Sequence, residues 1–124
     1  GELCCPTLPN IKEEDKKRVY YYSIFPNMLL SLHPEYVMYH TVWPLGINRS
    51  KVTCSWLFTE EIINSNDHNI EEAVDFWDMT NKQDWYISEL SQLGIQSSKY
   101  SPAPYSGQES LLAAFDKHYK KIIN

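Results

Sequence analysis

The fold of this chain is decided by residues 19–59, VYYYSIFPNMLLSLHPEYVMYHTVWPLGINRSKVTCSWLFT. Four runs of β-branched, aromatic and aliphatic residues are separated by turn signals at Pro26-Asn27, His33-Pro34 and 44–50. In the last run, apolar and polar residues alternate from Val52 to Thr59, and a period of two is typical of a half-buried strand. Four strands on short connections predict an antiparallel meander.

Two helices are predicted after the strands. Asn69 is a favourable N-cap and acidic residues follow it, so a long helix is expected over 70–93, ended by Gly94. A second helix is expected over 109–123, where apolar residues recur at helical spacing. Strands followed by helices predict the α+β class, with an antiparallel sheet and long helices packed on it.

Three shorter segments complete the assignment. A short helix capped by Asn10 is expected to run to Arg18, because acidic residues precede basic ones there and suit the helix dipole. Residues 60–69 and 96–108 are polar or rich in Ser, Pro and Gly, so both are expected to be loops.

The composition limits the classes of function. With 124 residues, the chain is expected to form a single domain, 1–124. The net charge is −5 and no basic stripe is present, so nucleic acid is not an expected partner. Every apolar run is too short to cross a bilayer, which predicts a soluble protein without membrane contact. Gly1 is interpreted as a scar of tag removal.

The cysteines indicate a reducing environment. Cys4, Cys5 and Cys54 are odd in number, two of them are adjacent, and their spacing matches no zinc motif. We therefore expect three free thiols and a cytoplasmic location.

The long predicted helix carries an unusual stripe. At 100° per residue, the apolar side that contains Ala73 and Trp77 continues into Asn81, Asp84 and Ser88. Asp84 is thus expected to point inward, where a carboxylate costs several kcal/mol unless it is paired or bound to metal. The pattern alone favours a structural role over a metal-binding or catalytic one, with Arg18, Arg49 or a histidine as the partner.

Two histidines are candidates for further metal ligands. His33 and His40 together with Asp84 would match the two-His-one-carboxylate site of non-haem iron. They are seven residues apart, however, and in one regular strand they would face opposite sides of a sheet. His68 and His118 are expected to be exposed. No nucleophilic triad and no glycine-rich phosphate loop is present, so no catalytic or cofactor-binding residue is assigned.

Several stretches together resemble one known family. They are Leu8-Pro9, Arg18–Asn27, Leu30–Met38, Trp56–Phe58, and Phe76–Trp85 with Glu89 and Gln92-Leu93-Gly94. These segments are similar to the C-terminal part of the catalytic domain of Rieske-type non-haem iron oxygenase α subunits, the aromatic ring-hydroxylating oxygenases.

The resemblance implies a partial helix-grip, or START-like, fold and an iron chemistry. It implies that Asp84 is the carboxylate ligand of a mononuclear Fe(II) and that Trp77, Asn81 and Ser88 shape the substrate pocket. The family's Rieske domain, its upstream strands and the two iron-binding histidines have no counterpart in these residues. We therefore expect a chain that is inactive alone, binds no iron by itself, and works with a small organic substrate, a Rieske domain, a reductase and further copies of itself.

An alternative stays open. A chain of this fold without redox chemistry is a stand-alone module that binds a hydrophobic ligand or dimerises through its open sheet edge.

Overall fold

The computed structural model describes residues 3–124. The interpretation of Gly1 as a tag scar lies outside these residues. The strands are β1 (Tyr20–Ile24), β2 (Met28–Leu32), β3 (Val37–Gly46) and β4 (Arg49–Leu57), and the helices are α1 (Glu60–Asn64), α2 (Ile70–Ile95) and α3 (Ser110–Ile123).

The four strands form one antiparallel sheet in the order β1-β2-β3-β4. The predicted meander and the α+β class are confirmed, whereas the helix-grip arrangement stays a prediction. Asn27, in the turn after β1, ties that turn to β3: its side-chain amide donates to the Val42 carbonyl at 3.1 Å, and the Val42 N–H donates to the Asn27 carbonyl at 2.9 Å. The turn signal at 26–27 therefore also fixes the register of the third strand.

Two local predictions were wrong. Residues 13–17 form turns rather than a helix, with i→i+3 bonds such as Arg18 N–H to the Asp15 carbonyl at 3.1 Å. Asn10 has a φ of 63°, in the left-handed region, whereas an N-cap needs an extended backbone. The second wrong prediction is the loop expected over residues 60–69. This segment begins with the helix α1, in which Ile62 is buried at 8% exposure.

The predicted helices α2 and α3 are confirmed with small shifts at their ends. α2 runs one residue past Gly94, because a single glycine costs a helix only about 1 kcal/mol. The chain divides into two compact units, which meet in sequence between Thr80 and Asn81 within α2. The single-domain assignment stays a prediction.

The core of the first unit lies on one face of the sheet. Ser31, Met38 and Trp56 are cross-strand partners and so share a face, and Met38 is only 1% exposed. Ala73 and Trp77, four residues apart on α2, pack into this core together with Tyr36. The inward orientation predicted for the first part of α2 is therefore confirmed for Ala73.

The second unit has a different character. Its helices are largely exposed, and no residue of α3 within the described chain is buried. Hydrogen bonds at the start of α3 hold the preceding loop: Tyr105 donates to Asp116, and the Ser106 N–H donates to the Glu109 carboxylate at 2.6 Å. That bond lowers the pKa of Glu109. The unit leaves large side chains in solvent, among them Leu90, Leu93, Leu111, Tyr119 and Ile122.

Candidate functional site

The structure places Asp84 in solvent. The prediction that its side chain points inward is therefore wrong for this chain, although its assignment as an iron ligand is a separate question. The projection at 100° per residue correctly puts Asp84 on the same side of α2 as Ala73 and Trp77. Burial, however, needs a surface opposite the helix, and the apolar side chains of the second unit are themselves exposed.

The three predicted pocket residues differ in their surroundings. Trp77 is half-buried, and its indole N–H donates to the Tyr36 hydroxyl at 2.8 Å. Asn81 is buried, with 7% of its surface exposed. Ser88 is exposed, and its hydroxyl donates to the backbone carbonyl of Asp84 at 2.8 Å. Such a bond to the preceding turn is local to the helix and does not orient the Asp84 carboxylate.

The described residues 3–124 do not bring together a complete iron centre. A non-haem iron site of this kind needs two histidines and one carboxylate. Within residues 3–124, no group of three or more His, Cys, Asp or Glu side chains is arranged to hold a metal ion.

His33 and His40 do not form a ligand pair, but the reason differs from the expected one. The turn at Pro34 separates them into neighbouring strands, so the odd spacing does not put them on opposite faces. His33 pairs with Tyr36 through a backbone bond of 3.0 Å, while His40 pairs with Leu29. The pair His33–Tyr36 and the pair Leu29–His40 are four residues apart along the strands, or roughly 13 Å.

An aromatic cluster forms where β2 turns into β3. The rings of His33 and Tyr36 stack at 4.4 Å between centroids, and Trp77 and Tyr21 meet the His33 ring edge-on at 5.5 and 6.5 Å. Burial raises the pKa of Tyr36 to about 12 and lowers the pKa of His33. At neutral pH both groups are therefore uncharged. Within the described residues, the buried Nε2 of His33 has no hydrogen-bond partner.

A groove of about 770 Å³ opens beside this cluster, within the first unit. Its aromatic wall contains Tyr36, Trp77 and Phe76, and the turn Lys16–Arg18 also lines it. Glu35 also lines the groove and is only 8% exposed. The volume falls in the range of ordinary small-molecule sites, about 300–1,000 Å³.

The sequence interpretation missed this groove. Its aromatic wall joins the turn at 33–36 to α2, some 40 residues further along the chain, and no local pattern links them. A charged residue between Pro34 and Tyr36, in a turn flanked by aromatic residues, was the available signal.

The cysteines are confirmed as free thiols. The sulfurs of Cys4 and Cys5 are 3.8 Å apart, and Cys5 is buried. Desolvation raises the pKa of both thiols, that of Cys5 to about 12. Because the thiolate is the reactive form, Cys4 and Cys5 are expected to be unreactive at neutral pH.

Comparison with known families supplies the decisive observation. The family model described as "Ring hydroxylating alpha subunit (catalytic domain)" matches residues 3–124. The chain belongs to this family. Full-length members of it use non-haem iron, and as oxygenase α subunits they act with partner components.

Curated relatives match part of the chain. The glycine betaine monooxygenase oxygenase subunits of two Pseudomonas aeruginosa strains are 35% identical over 72 residues, which are 58% of this chain and 17% of the relative. The subunit of the same name from Chromohalobacter salexigens is 33% identical over 81 residues, 65% of this chain and 18% of the relative. The matched region thus spans less than a fifth of these relatives. No solved structure gives a significant match.

The hydropathy of the helices gives one further result. Within residues 3–124, none of them combines the length and apolar character that a membrane span requires.

Proposed function

We propose that this chain is the C-terminal part of the catalytic domain of a Rieske-type oxygenase α subunit, in which Asp84 supplies the carboxylate ligand of the mononuclear iron. The observation that carries the proposal is the family match over residues 3–124. Iron in such a site supplies the activation of dioxygen beside the substrate. Two histidine ligands come from the rest of the catalytic domain, so the chain is inactive alone.

The two sides of α2 support this role. Asn81 and Ser88 lie within about 60° of Asp84 around the helix, whereas Tyr86, Leu90 and Leu93 gather on the far side. These three apolar side chains are 61%, 46% and 66% exposed. The far side also carries Lys82 and Glu89, so the two sides do not separate cleanly, but the exposed apolar side chains need protein to cover them, as those of a central helix in a larger domain have.

The proposal includes the partners of the complete protein. Relatives named for glycine betaine favour a small methylated ammonium compound as the organic substrate. A reductase supplies electrons to the Rieske cluster, which passes them to the mononuclear iron. The complete subunits form a homo-oligomer in the cytoplasm.

The test is the iron content of the complete protein. Reading the DNA upstream of the codon for Glu2 comes first: an open frame with C-x-H and C-x-x-H pairs and two further histidines supports the proposal, and a start codon behind a stop contradicts it. In the complete protein, Asp84→Ala is expected to remove the mononuclear iron and to leave the two irons of the Rieske cluster in place. Asp75→Ala is the matched control, because nine residues place Asp75 half a turn away on the same helix.

Iron is measured per protomer after purification, with circular dichroism to verify the fold of both variants. Equal iron retention in the Asp84 and Asp75 variants would exclude Asp84 as a ligand.

One observation favours the alternative of a dimerising module. β1 lies at the edge of the sheet, and all five of its residues are exposed. Unpaired edge strands associate with other strands. Sedimentation of this chain tests that role. A dimer that the substitution Tyr22→Pro disrupts supports it, and a monomer contradicts it.

A further inference from the structure

Cys4 and Cys5 form a pair of free thiols whose sulfurs lie 3.8 Å apart. This distance is too long for a disulfide bond, in which the sulfurs are about 2.05 Å apart. A single bridging atom reaches both sulfurs, because two bonds of about 2.3 Å, the length of a zinc–thiolate bond, span up to about 4.6 Å. The pair is therefore spaced to hold one atom that binds sulfur.

The fold holds this segment in place. The Leu8 N–H donates to the Pro34 carbonyl at 2.7 Å, and the Cys5 thiol is directed at the Glu35 carbonyl at 4.0 Å. Cys4 packs against the buried core of the first unit. Ordering of side chains and loops is a major cost of binding, and the fold has already met part of it here.

The two thiols differ in access. Cys5 is buried, with 5% of its surface exposed, whereas Cys4 is half-buried. A small molecule can therefore bond to Cys4 first and to Cys5 in a second, intramolecular step. Joining two contacts in this way raises affinity roughly a hundred- to ten-thousandfold over one contact.

The surroundings favour an uncharged product. Burial raises the pKa of both thiols, and the nearby Glu35 raises it further, so negative charge is disfavoured at the sulfurs. Cu(I) held by two thiolates carries a net negative charge. Zn(II) takes four ligands, and within residues 3–124 no group of three or more His, Cys, Asp or Glu side chains could hold a metal. Trivalent arsenic that is bonded to two sulfurs and one carbon is neutral and needs no further ligand.

We propose that Cys4 and Cys5 form a dithiol site that captures a trivalent arsenical of the form R–As=O. Two S–H bonds and the bond from arsenic to oxygen break, two arsenic–sulfur bonds form, and both protons leave with the oxygen as water. Arsenic stays trivalent, so the step needs no oxidant or reductant. The site is independent of the proposed iron ligand.

Slow reaction of the single thiols is compatible with this capture. A raised pKa slows each thiol toward reagents that require a thiolate. It does not oppose the captured state, in which neither sulfur carries a charge.

Intact-mass spectrometry of the reduced chain, after incubation with phenylarsine oxide under native conditions, tests the proposal. One arsenical per chain is expected. It is expected to survive an excess of glutathione, a monothiol, and to be released by dithiothreitol, a dithiol. If the folded chain captures none, or captures it only after unfolding in urea, the proposal is overturned, because the folded arrangement then does not make the site.

Variants identify the sulfurs. Cys4→Ser and Cys5→Ala are each expected to weaken capture at least about hundredfold, measured by the dithiothreitol concentration that releases half of the arsenical. Cys54→Ser is the matched control, because Cys54 is the third free thiol and is half-buried like Cys4. It is expected to capture as the unchanged chain does.

Circular dichroism verifies the fold of each variant. Cys4→Ser changes a half-buried side chain and so decides the question even if Cys5→Ala fails to fold. Equal capture by Cys4→Ser and the unchanged chain, or loss of capture in a folded Cys54→Ser variant, would refute the site.

Discussion

Removing a single oxygen atom from Tyr36 tests how the sheet holds α2. Tyr36→Phe keeps the ring that stacks on His33 but deletes the hydroxyl that accepts the 2.8 Å hydrogen bond from the Trp77 indole. A buried donor left without an acceptor costs about 1–3 kcal/mol. Trp77 is half-buried and water reaches it in part, so we expect a loss of about 1–2 kcal/mol in the free energy of unfolding.

Urea unfolding followed by far-ultraviolet circular dichroism measures the loss. With a slope of about 2 kcal/mol per molar urea, the midpoint is expected to fall by roughly 0.5–1 M. Tyr22→Phe is the matched control, because Tyr22 is 50% exposed and its substitution is expected to change stability by less than about 0.5 kcal/mol.

A double-mutant cycle separates the hydrogen bond from packing. Trp77→Phe also removes ring volume, so its own cost is larger, but the coupling between the two substitutions is expected to be about 1 kcal/mol. If the Tyr36 and Tyr22 variants unfold at the same urea concentration, or if the cycle gives no coupling, the contact does not hold α2 on the sheet.

Three further predictions concern the same core. Met38→Ala is expected to cost about 2–5 kcal/mol because the side chain is 1% exposed, whereas Met79→Ala, at 53% exposure, is expected to be nearly neutral in the same urea assay; equal effects would contradict the core assignment. Burial lowers the pKa of His33 below its usual 6.5, so below pH 6.5 the unfolded state takes up a proton that the folded state does not, and stability falls until the pH passes the folded pKa. His33→Phe is expected to flatten this part of the pH-stability curve, and an unchanged slope would show that another group titrates. With a pKa of about 12, Cys5 is expected to react with iodoacetamide at pH 8 about a thousandfold more slowly than a thiol of pKa 9, as measured by peptide mass spectrometry; rapid alkylation of the folded chain would refute the burial of this thiol.

The sheet was predictable because its signals are local. Alternation from Val52 onward, and turn residues at 26–27 and 33–34, set strand ends within a few positions of those observed. The failures at the N-terminal turns and at α1 have different causes. The left-handed backbone of Asn10 removes a cap that its residue type favours. In α1, no pattern in the neighbouring residues indicates the burial of Ile62.

The candidate site was predictable only in part. The family resemblance and the helical projection singled out Asp84. Asn81 and Ser88 lie on the same side of α2 as Asp84. Whether that side is covered depends on protein that faces the helix, and no residue on the helix encodes this. The groove at Glu35 was missed for a similar reason, because its walls come from three separated segments.

By itself, then, the sequence determined the strands, the two long helices, the free thiols and the family, since each depends on neighbours in the chain or on text shared with relatives. Only the tertiary structure decided that His33 and His40 lie at separate positions along the sheet, that Trp77 reaches Tyr36 across 41 residues, and that the buried Glu35 shares a groove with Lys16–Arg18. The physical reason is that burial and charge compensation are properties of surfaces brought together by folding, and residues far apart in the chain supply the two sides of each surface.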